Sequence, residues 1–196
     1  MKQFKGQKDL EKDIELLNSQ VERCNEILKR LTLNPVEEDE FIDKDINIRD
    51  YLHEIISSFK EISKKEFVFN FDQDSNPKKI SKSIEIVYGL RNFIGNANKF
   101  SNETIYINLK SDSETTEITI EDDGNGYPKD VLSKIGEPYL RTKDPAEKSK
   151  AGLGLGLFIG KTLLEKNFAS INCRNSKTRR GAEVNIKWNN KDLFYI

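Results

Sequence analysis

The chain has 196 residues, of which about a third are hydrophobic and a third are charged, and its formal net charge is −1 at pH 7. This length suits one domain with a short appendage, and the near-neutral charge gives no electrostatic reason to expect binding to nucleic acid or to an anionic membrane surface. The sequence also lacks the run of about 18 apolar residues that a membrane-spanning helix needs, and its polar, lysine-rich start is unlike a secretory signal.

The first thirty residues carry an apolar seam. Its members recur in steps of four and three: Leu10, Ile14, Leu17, Val21, Cys24, Leu28 and Leu31. Such a spacing over three heptads predicts an amphipathic helix. The helix either packs on its own domain or joins a bundle with another chain, and the second interpretation is favoured because few helical segments lie nearby. Pro35 ends it, and the acidic, unpatterned residues 36–45 are interpreted as a linker.

Residues 46–188 alternate between helical and strand patterns and are predicted to form one domain. Helices are expected at Ile48–Lys64, Lys79–Phe100, Pro128–Ile135 and Ala151–Lys166. Strands are expected at Glu66–Asp72, Thr104–Ser111, Thr116–Glu121, Ser170–Arg174 and Glu183–Trp188. This order predicts an α/β sandwich in which a mixed sheet carries helices on one face. Residues 189–196 form a tail that is apolar enough to dock, at a place that the sequence does not reveal.

Three polar residues share one face of the second long helix. Asn92, Asn96 and Lys99 stand at positions i, i+4 and i+7. Asparagine is a poor helix former, so its repetition here needs a reason. Either this is simply a solvated face, or an amide oxygen binds Mg²⁺, which prefers hard oxygen ligands, while Lys99 neutralises phosphate.

A second group, Asp122, Gly124 and Gly126, directly follows a predicted strand. Glycine lacks a Cβ and allows a planar ligand to approach the backbone, and a neighbouring carboxylate can accept a hydrogen bond from an amino group on that ligand. Taken alone, a simple tight turn is the more common explanation of this pattern.

A third group, Gly152, Gly154 and Gly156, opens a predicted helix. Glycine costs about 1 kcal/mol in a helix relative to alanine, so three of them in five residues indicate either a hinge or a phosphate site built from free N–H groups. The spacing fits neither a P-loop nor a dinucleotide fingerprint.

In this order the three groups resemble the N, G1 and G2 boxes of histidine kinases, and Glu137 to Thr142 looks like the start of the family's ATP lid. The resemblance covers residues 46–188 and implies the Bergerat ATP-binding fold shared with gyrase-type ATPases. It implies that Asn96 binds Mg²⁺ with help from Asn92, that Asp122 accepts a hydrogen bond from the adenine amino group, and that ATP is the cofactor. It also implies that Lys99 contacts phosphate and that Arg141 reaches the γ-phosphate. Gly124 and Gly126 would shape the pocket, and the loop with Gly152, Gly154 and Gly156 would close over the phosphates.

Position 92 separates the two branches of that superfamily. Gyrase-like ATPases have a glutamate there that activates water, whereas Asn92 cannot take a proton. The resemblance to kinases is therefore favoured over hydrolytic relatives, with Asn92, Lys99 and Arg141 as the implied catalytic residues. One departure concerns the last hairpin, where most family members have a threonine after the glycine and this chain has Ala182.

The family's phosphate-accepting histidine lies on a first dimerisation helix that this sequence does not contain. The single histidine, His53, lies beyond the seam and the linker, in the predicted ATP-binding domain. It is therefore predicted not to be the acceptor. We expect the chain to be the catalytic part of a larger, membrane-anchored sensor kinase, itself cytoplasmic, which forms a homodimer through its N-terminal helix and acts on a response regulator.

The segment from Gln20 to Leu28 is similar to the second dimerisation helix of RegB/PrrB-type redox-responsive kinases. This makes Cys24 a candidate redox switch, although a seam cysteine also serves as a small buried hydrophobe. Cys24 and Cys173 have no metal-ligand spacing, and such cysteine usage suits a reducing cytosol. Two other functions stay open: an anti-sigma-factor-type serine kinase and a non-catalytic nucleotide-binding dimerisation module.

Overall fold

The computed structural model describes residues 46–72, 79–80, 83–140 and 154–193. The chain divides into two units, Met1–Ile42 and Asp43–Ile196, and the described residues all belong to the second. The predicted seam helix, the linker, Cys24, Arg141 and Gly152 lie outside the described residues, so the predictions about them stay predictions.

A five-stranded mixed sheet forms the centre of the domain. Its strands in chain order are β2 (Glu66–Phe71), β4 (Thr104–Ser111), β5 (Thr115–Asp122), β6 (Ser170–Asn175) and β7 (Ala182–Asn189). Across the sheet they lie in the order β2-β4-β5-β7-β6. Strands β2 and β4 are parallel, and the other neighbours are antiparallel. All five predicted strands are present, with bounds that shift by no more than one residue.

A second, two-stranded sheet was not predicted. Strand β1 (Ile46–Asn47) pairs antiparallel with β3 (Lys79–Ile80). The second long helix therefore does not begin at Lys79 as predicted. It begins at Ile84, where the Ser83 hydroxyl accepts a hydrogen bond from Ile86 N, a typical N-cap arrangement.

The described helices in chain order are α1 (Ile48–Lys60), α2 (Ile84–Phe100), α3 (Lys129–Leu132), α4 (Gly156–Lys166) and α5 (Asn190–Leu193). Helix α1 contacts β2, α2 contacts β4 and β5, and α4 contacts β6, while α2 also packs on α1 and α4. This agrees with the predicted sandwich of a mixed sheet with helices on one face. None of the helices in the described ranges combines the length and apolar character required to cross a bilayer.

The hydrophobic core lies between the sheet and helix α2. Alternate residues of β4 and β5 are buried, as their period-two pattern predicts, because successive side chains on a strand point to opposite faces. Strand β7 adds Val184, Ile186 and Trp188, and α2 adds Leu90, Phe93, Ile94 and Ala97. The opposite side of α2 is thereby left for polar residues.

The tail docks on the turn between β4 and β5. Asn190 donates its backbone N–H to Glu114 O (2.7 Å) and its Nδ2 to Asp112 O (2.8 Å), and its Oδ1 accepts from Thr116 Oγ1 (2.7 Å). Leu193 is buried in the core. The apolar character of the tail is thus explained as far as Leu193.

Candidate functional site

Helices α2 and α4 approach each other closely because glycines line their contact. A Cβ atom on Gly89 would lie 2.5 Å from Leu164 Cγ, and one on Gly160 would lie 3.0 Å from the Phe93 ring and 3.1 Å from Asn92 Cβ. Neither position has room for a larger residue without movement of its neighbours. The crossing sets the first turn of α4 against the asparagine face of α2.

The predicted first and third groups meet at this crossing. A Cβ on Gly156, the first residue of α4, would lie 3.3 Å from Asn96 Nδ2 and 3.5 Å from both Asn92 Oδ1 and Asn96 Oδ1. Asn92 donates its Nδ2 to Tyr88 O (2.8 Å), so the amide nitrogen is occupied and its oxygen faces α4. Asn96 Nδ2 is buried, and no hydrogen-bond partner for it exists among the described residues.

Such an orphaned amide is unusual, because a buried polar group without a partner costs roughly 1–3 kcal/mol. The orphaned Asn96 Nδ2 is a donor, so a ligand that brings an acceptor oxygen, such as a phosphate, would remove that cost. The two amides therefore fit a Mg²⁺ and phosphate site, since amide oxygens are hard donors and Mg²⁺ keeps waters and phosphates as its remaining ligands.

Asp122 lies at the end of β5 and is only 3% exposed. Its Oδ1 accepts hydrogen bonds from the backbone N–H groups of Gly124 (2.9 Å) and Ala182 (3.1 Å). Burial raises the pKa of this carboxyl, and the charge of Asp123 adds to the rise, while the two N–H donors and Lys65 oppose it. Both described hydrogen bonds fall on Oδ1, so Oδ2 is the atom suited to accept from a ligand.

Two glycines make room for Asp122. A Cβ on Gly124 would overlap Phe100 O and lie 2.9 Å from Asp122 Oδ1, and a Cβ on Gly181 would overlap the backbone oxygen of Asp122. Gly124 was predicted to shape the pocket. Gly181 belongs to the turn between β6 and β7, the last hairpin, where the family resemblance implies a residue near adenine and this chain has Ala182 in place of the usual threonine.

The loop after β5 is held by a residue from β6. Gly126 has φ +74°, in the left-handed region that favours glycine. Beside it, Asn175 Oδ1 accepts from Tyr127 N (2.6 Å) and Asn175 Nδ2 donates to Tyr127 O (3.1 Å). The left-handed conformation thus explains why glycine stands at position 126, and its role in the pocket stays a prediction.

The two described ends of the predicted lid lie side by side. Leu140 donates its backbone N–H to Gly154 O (3.1 Å), Gly154 has φ +72°, and a Cβ there would overlap Leu140 O.

Lys99, the third member of the first group, is exposed near the end of α2 with its ammonium 5.6 Å from the Phe100 ring centroid.

His53 lies on the exposed face of α1 and packs edge-on against Phe69, with ring centroids 4.9 Å apart. It belongs to the same unit as the glycine and asparagine groups. This position is consistent with the interpretation of His53 as an ordinary helix residue.

Sequence reasoning missed two acidic residues beside Asp122. Asp123 accepts hydrogen bonds from the backbone of the turn after α2. Glu121 Oε1 accepts from Ser176 Oγ (2.8 Å) in the β6–β7 turn, and Arg179 lies 3.6 Å from its Oε2. The signal was present as three consecutive acids, 121–123, but a sequence does not tell which of them faces a ligand.

The residues of this site lie within a segment that matches a known protein family. Residues 81–192 match the model of the family described as histidine kinase-, DNA gyrase B-, and HSP90-like ATPase. The chain belongs to this family. The match includes both asparagines, Asp122 and the glycines of the third group.

Among curated relatives, the chain is 31% identical to sensor histidine kinase RegB of Cereibacter sphaeroides over 198 aligned residues, 91% of this chain and 42% of RegB. It is 32% identical to sporulation kinase A of Bacillus subtilis over 88 residues, 45% of this chain and 13% of that protein. Among solved structures, mycobacterial sensor histidine kinase MprB superposes with a TM-score of 0.60 at 18% identity, covering 74% of this chain and 95% of that one. The last likeness shows the fold.

The chain therefore contains an ATP-binding domain of this family, and 91% of it is similar to the sensor histidine kinase RegB. It spans about two fifths of RegB's length. The expected Bergerat-type fold is confirmed by the family match and by the histidine kinase structures.

Proposed function

We propose that this domain transfers the γ-phosphate of ATP to a histidine that the chain itself does not supply, for relay to a response regulator. The observation that carries the proposal is the meeting of Gly156 with Asn92 and Asn96 at one end of the site and the buried Asp122 at the other. Phosphoryl transfer needs mainly positioning and charge neutralisation. The 31% identity to RegB supports this choice of acceptor.

Asn96 and Asn92 would hold Mg²⁺ through their amide oxygens. The support is chemical: the Asn92 nitrogen is already committed to Tyr88 O, which leaves its oxygen for the ion, and the Asn96 Nδ2, unpartnered among the described residues, can donate to a phosphate oxygen beside that ion. When bound, the ion would neutralise phosphate charge. Lys99, Arg141 and the glycines Gly152, Gly154 and Gly156 are proposed to contact the phosphates.

Asp122 is proposed to accept a hydrogen bond from the adenine amino group. Its Oδ1 is held by two backbone donors, so the carboxylate cannot rotate freely. A fixed acceptor in a buried site discriminates between amino and carbonyl ligands, because an unpaired buried acceptor is costly. Gly124 and Gly126 are proposed to form the adjoining wall.

Asn92 favours a kinase over an ATPase. A general base must accept a proton from water, and an amide that donates to Tyr88 O does not serve this purpose. The nucleophile would instead be an imidazole nitrogen presented by another segment. We therefore propose slow hydrolysis of ATP by the isolated chain.

The test incubates the chain with γ-labelled ATP, Mg²⁺ and a histidine-bearing first dimerisation helix from a related kinase. Acid-labile, base-stable label on that helix is the expected result. Label on serine would instead support the anti-sigma-factor-type kinase. No label despite nucleotide binding would support the non-catalytic module. An Asn96→Ala variant that labels as well as the parent would contradict the assigned site.

The partner proposals rest on the sequence. The seam from Leu10 to Leu31 is proposed to form a homodimer, and Cys24 within it is proposed as a redox-sensitive thiol. Non-reducing electrophoresis of mildly oxidised protein tests both. A covalent dimer that requires Cys24 and not Cys173 is expected, and a Cys24 that resists oxidation in the folded chain would count against the switch.

A further inference from the structure

Asp123 does not face the proposed ligand. It ties the loop after β5 to the turn that follows α2. Its Oδ1 accepts from Asn102 N (2.7 Å) and Glu103 N (3.1 Å), and its Oδ2 accepts from Glu103 N (3.0 Å) and Thr104 N (3.1 Å). Asn102 Nδ2 returns a hydrogen bond to Asp123 O (2.6 Å). One carboxylate thus satisfies three successive backbone donors between a helix and a strand.

This clamp acts on the neighbouring residue. Gly124 packs so closely on the end of α2 that a Cβ would overlap Phe100 O, and its N–H holds Asp122 Oδ1 at 2.9 Å. The position of Gly124 therefore fixes the orientation of the Asp122 carboxylate. Asp123 and the tight contact with Phe100 together fix the position of Gly124.

The turn that Asp123 holds directly follows helix α2, which carries the polar residues at the other end of the site. That helix carries Asn92 and Asn96, and its last residue is Phe100. A rigid helix from Asn96 to Phe100 spans roughly 6 Å at about 1.5 Å per residue. Because Asp123 binds the turn that directly follows this helix, it helps to set the distance between the asparagine pair and Asp122.

We infer that Asp123 is a positioning residue that sets the orientation of Asp122, and with it the discrimination between a 6-amino and a 6-oxo purine nucleotide. The inference rests on the proposed role of Asp122 as acceptor for adenine. A small displacement of a fixed acceptor weakens a directional hydrogen bond steeply. The same displacement has much less effect on the contacts that a nucleotide makes through its other groups.

The test compares ADP with inosine diphosphate, which has a carbonyl oxygen in place of the 6-amino group, by calorimetry with Mg²⁺ on the whole chain. In Asp123→Asn, an amide replaces the second acceptor oxygen with a donor that faces backbone N–H groups. We expect ADP binding to weaken about tenfold while inosine diphosphate binding changes little, so that the ratio of the two dissociation constants approaches one.

The matched control is Asp112→Asn. Asp112 makes a similar turn at the far end of β4 and β5, where its Oδ1 accepts from Glu114 N and Thr115 N, both at 2.7 Å. We expect this variant to be less stable than the parent and to have the same ratio of the dissociation constants for ADP and inosine diphosphate. If Asp123→Asn does not fold, Asn102→Ala, which removes the exposed return bond to Asp123 O, replaces it with the same expected direction.

The outcomes are distinct. A parent that binds ADP well and inosine diphosphate poorly, with an Asp123→Asn variant of unchanged ratio, overturns the inference and leaves the role of Asp122 intact. A parent that binds both nucleotides equally overturns the role of Asp122 as well. Equal weakening of both nucleotides in Asp123→Asn shows a general structural role and also overturns the inference.

Discussion

Gly156 and Asn96 lie so close together that a Cβ on the glycine would be 3.3 Å from the buried amide nitrogen of the asparagine. The glycine opens α4, and the asparagine lies on α2, sixty residues earlier in the chain. The contact joins two sequence groups that are weak separately. Because position 156 is a glycine, the Asn96 amide faces the backbone of α4, and any larger residue at 156 would fill the space in front of it.

Gly156→Ala should weaken binding of Mg²⁺-bound ADP about tenfold, because the added methyl fills the space between α4 and the two amides. The unfolding free energy should change by no more than about 1 kcal/mol, since alanine is the better helix former. Calorimetry and urea unfolding measure the two effects. Gly95→Ala is the control, because its Cβ would meet the Phe59 ring at an ordinary 3.5 Å. Equal losses of affinity in both variants would count against the role of Gly156.

Asp122→Asn should weaken ADP binding by about 10- to 100-fold, because a hydrogen bond to a charged group contributes about 1.5–3 kcal/mol. The amide also turns a donor toward the adenine amino group. The affinity difference between the parent and the variant should be largest well above the raised pKa of Asp122. It should shrink as the pH falls through that pKa, because the parent's carboxyl then becomes protonated and loses its charge. An affinity difference that persists unchanged below that pKa would contradict the assignment.

The free energy of unfolding should depend on pH in the opposite sense to the ADP affinity: the parent should lose stability relative to Asp122→Asn as the pH rises. The pKa of Asp122 is higher in the folded chain than in the unfolded chain, so the folded state binds more protons and loses stability as pH rises between the two values. Relative to Asp122→Asn, the parent should be most stable below the unfolded pKa and least stable above the folded one. Urea unfolding of both proteins across this range tests the sign. A parent that gains stability relative to the variant as pH rises would show that the pKa is lowered.

Cys173 should react slowly with thiol reagents. Burial raises the pKa of its thiol to about 11, while Lys161 and the Tyr127 hydroxyl oppose the rise. Relative to an ordinary thiol of pKa 9.0, about 100-fold less thiolate is present at neutral pH. Mass spectrometry after iodoacetamide treatment should find Cys24 modified first and Cys173 modified at a comparable rate only in urea. Cys173 is half-buried, and its rapid modification in the folded chain would contradict the raised pKa of its thiol.

The isolated chain should not retain label from γ-labelled ATP. Its single histidine, His53, packs against Phe69 on a helix of the ATP-binding domain itself. The check is stable label on the purified chain after long incubation. Label that disappears in His53→Ala would overturn the interpretation of this residue.

The fold followed from the sequence where periodicity is strong. Ile105, Ile107 and Leu109 were predicted to share a face, and all three are buried. The pairing of β1 with β3 was not predictable, because two-residue strands carry no period. The site divides similarly: Asn92 and Asn96 share a face by helical spacing, whereas Ala182 reaches Asp122 from sixty residues away through strand pairing.

Asn96 is proposed to bind Mg²⁺ together with nucleotide, and calorimetric titration of ADP with and without Mg²⁺ measures this linkage. Asn98→Ala is the matched control, because Asn98 lies on the same helix and accepts from Ser63 Oγ (2.7 Å). We expect Mg²⁺ to strengthen ADP binding in the parent and in Asn98→Ala and to have no effect in Asn96→Ala. Undiminished Mg²⁺-dependent binding in Asn96→Ala would contradict it.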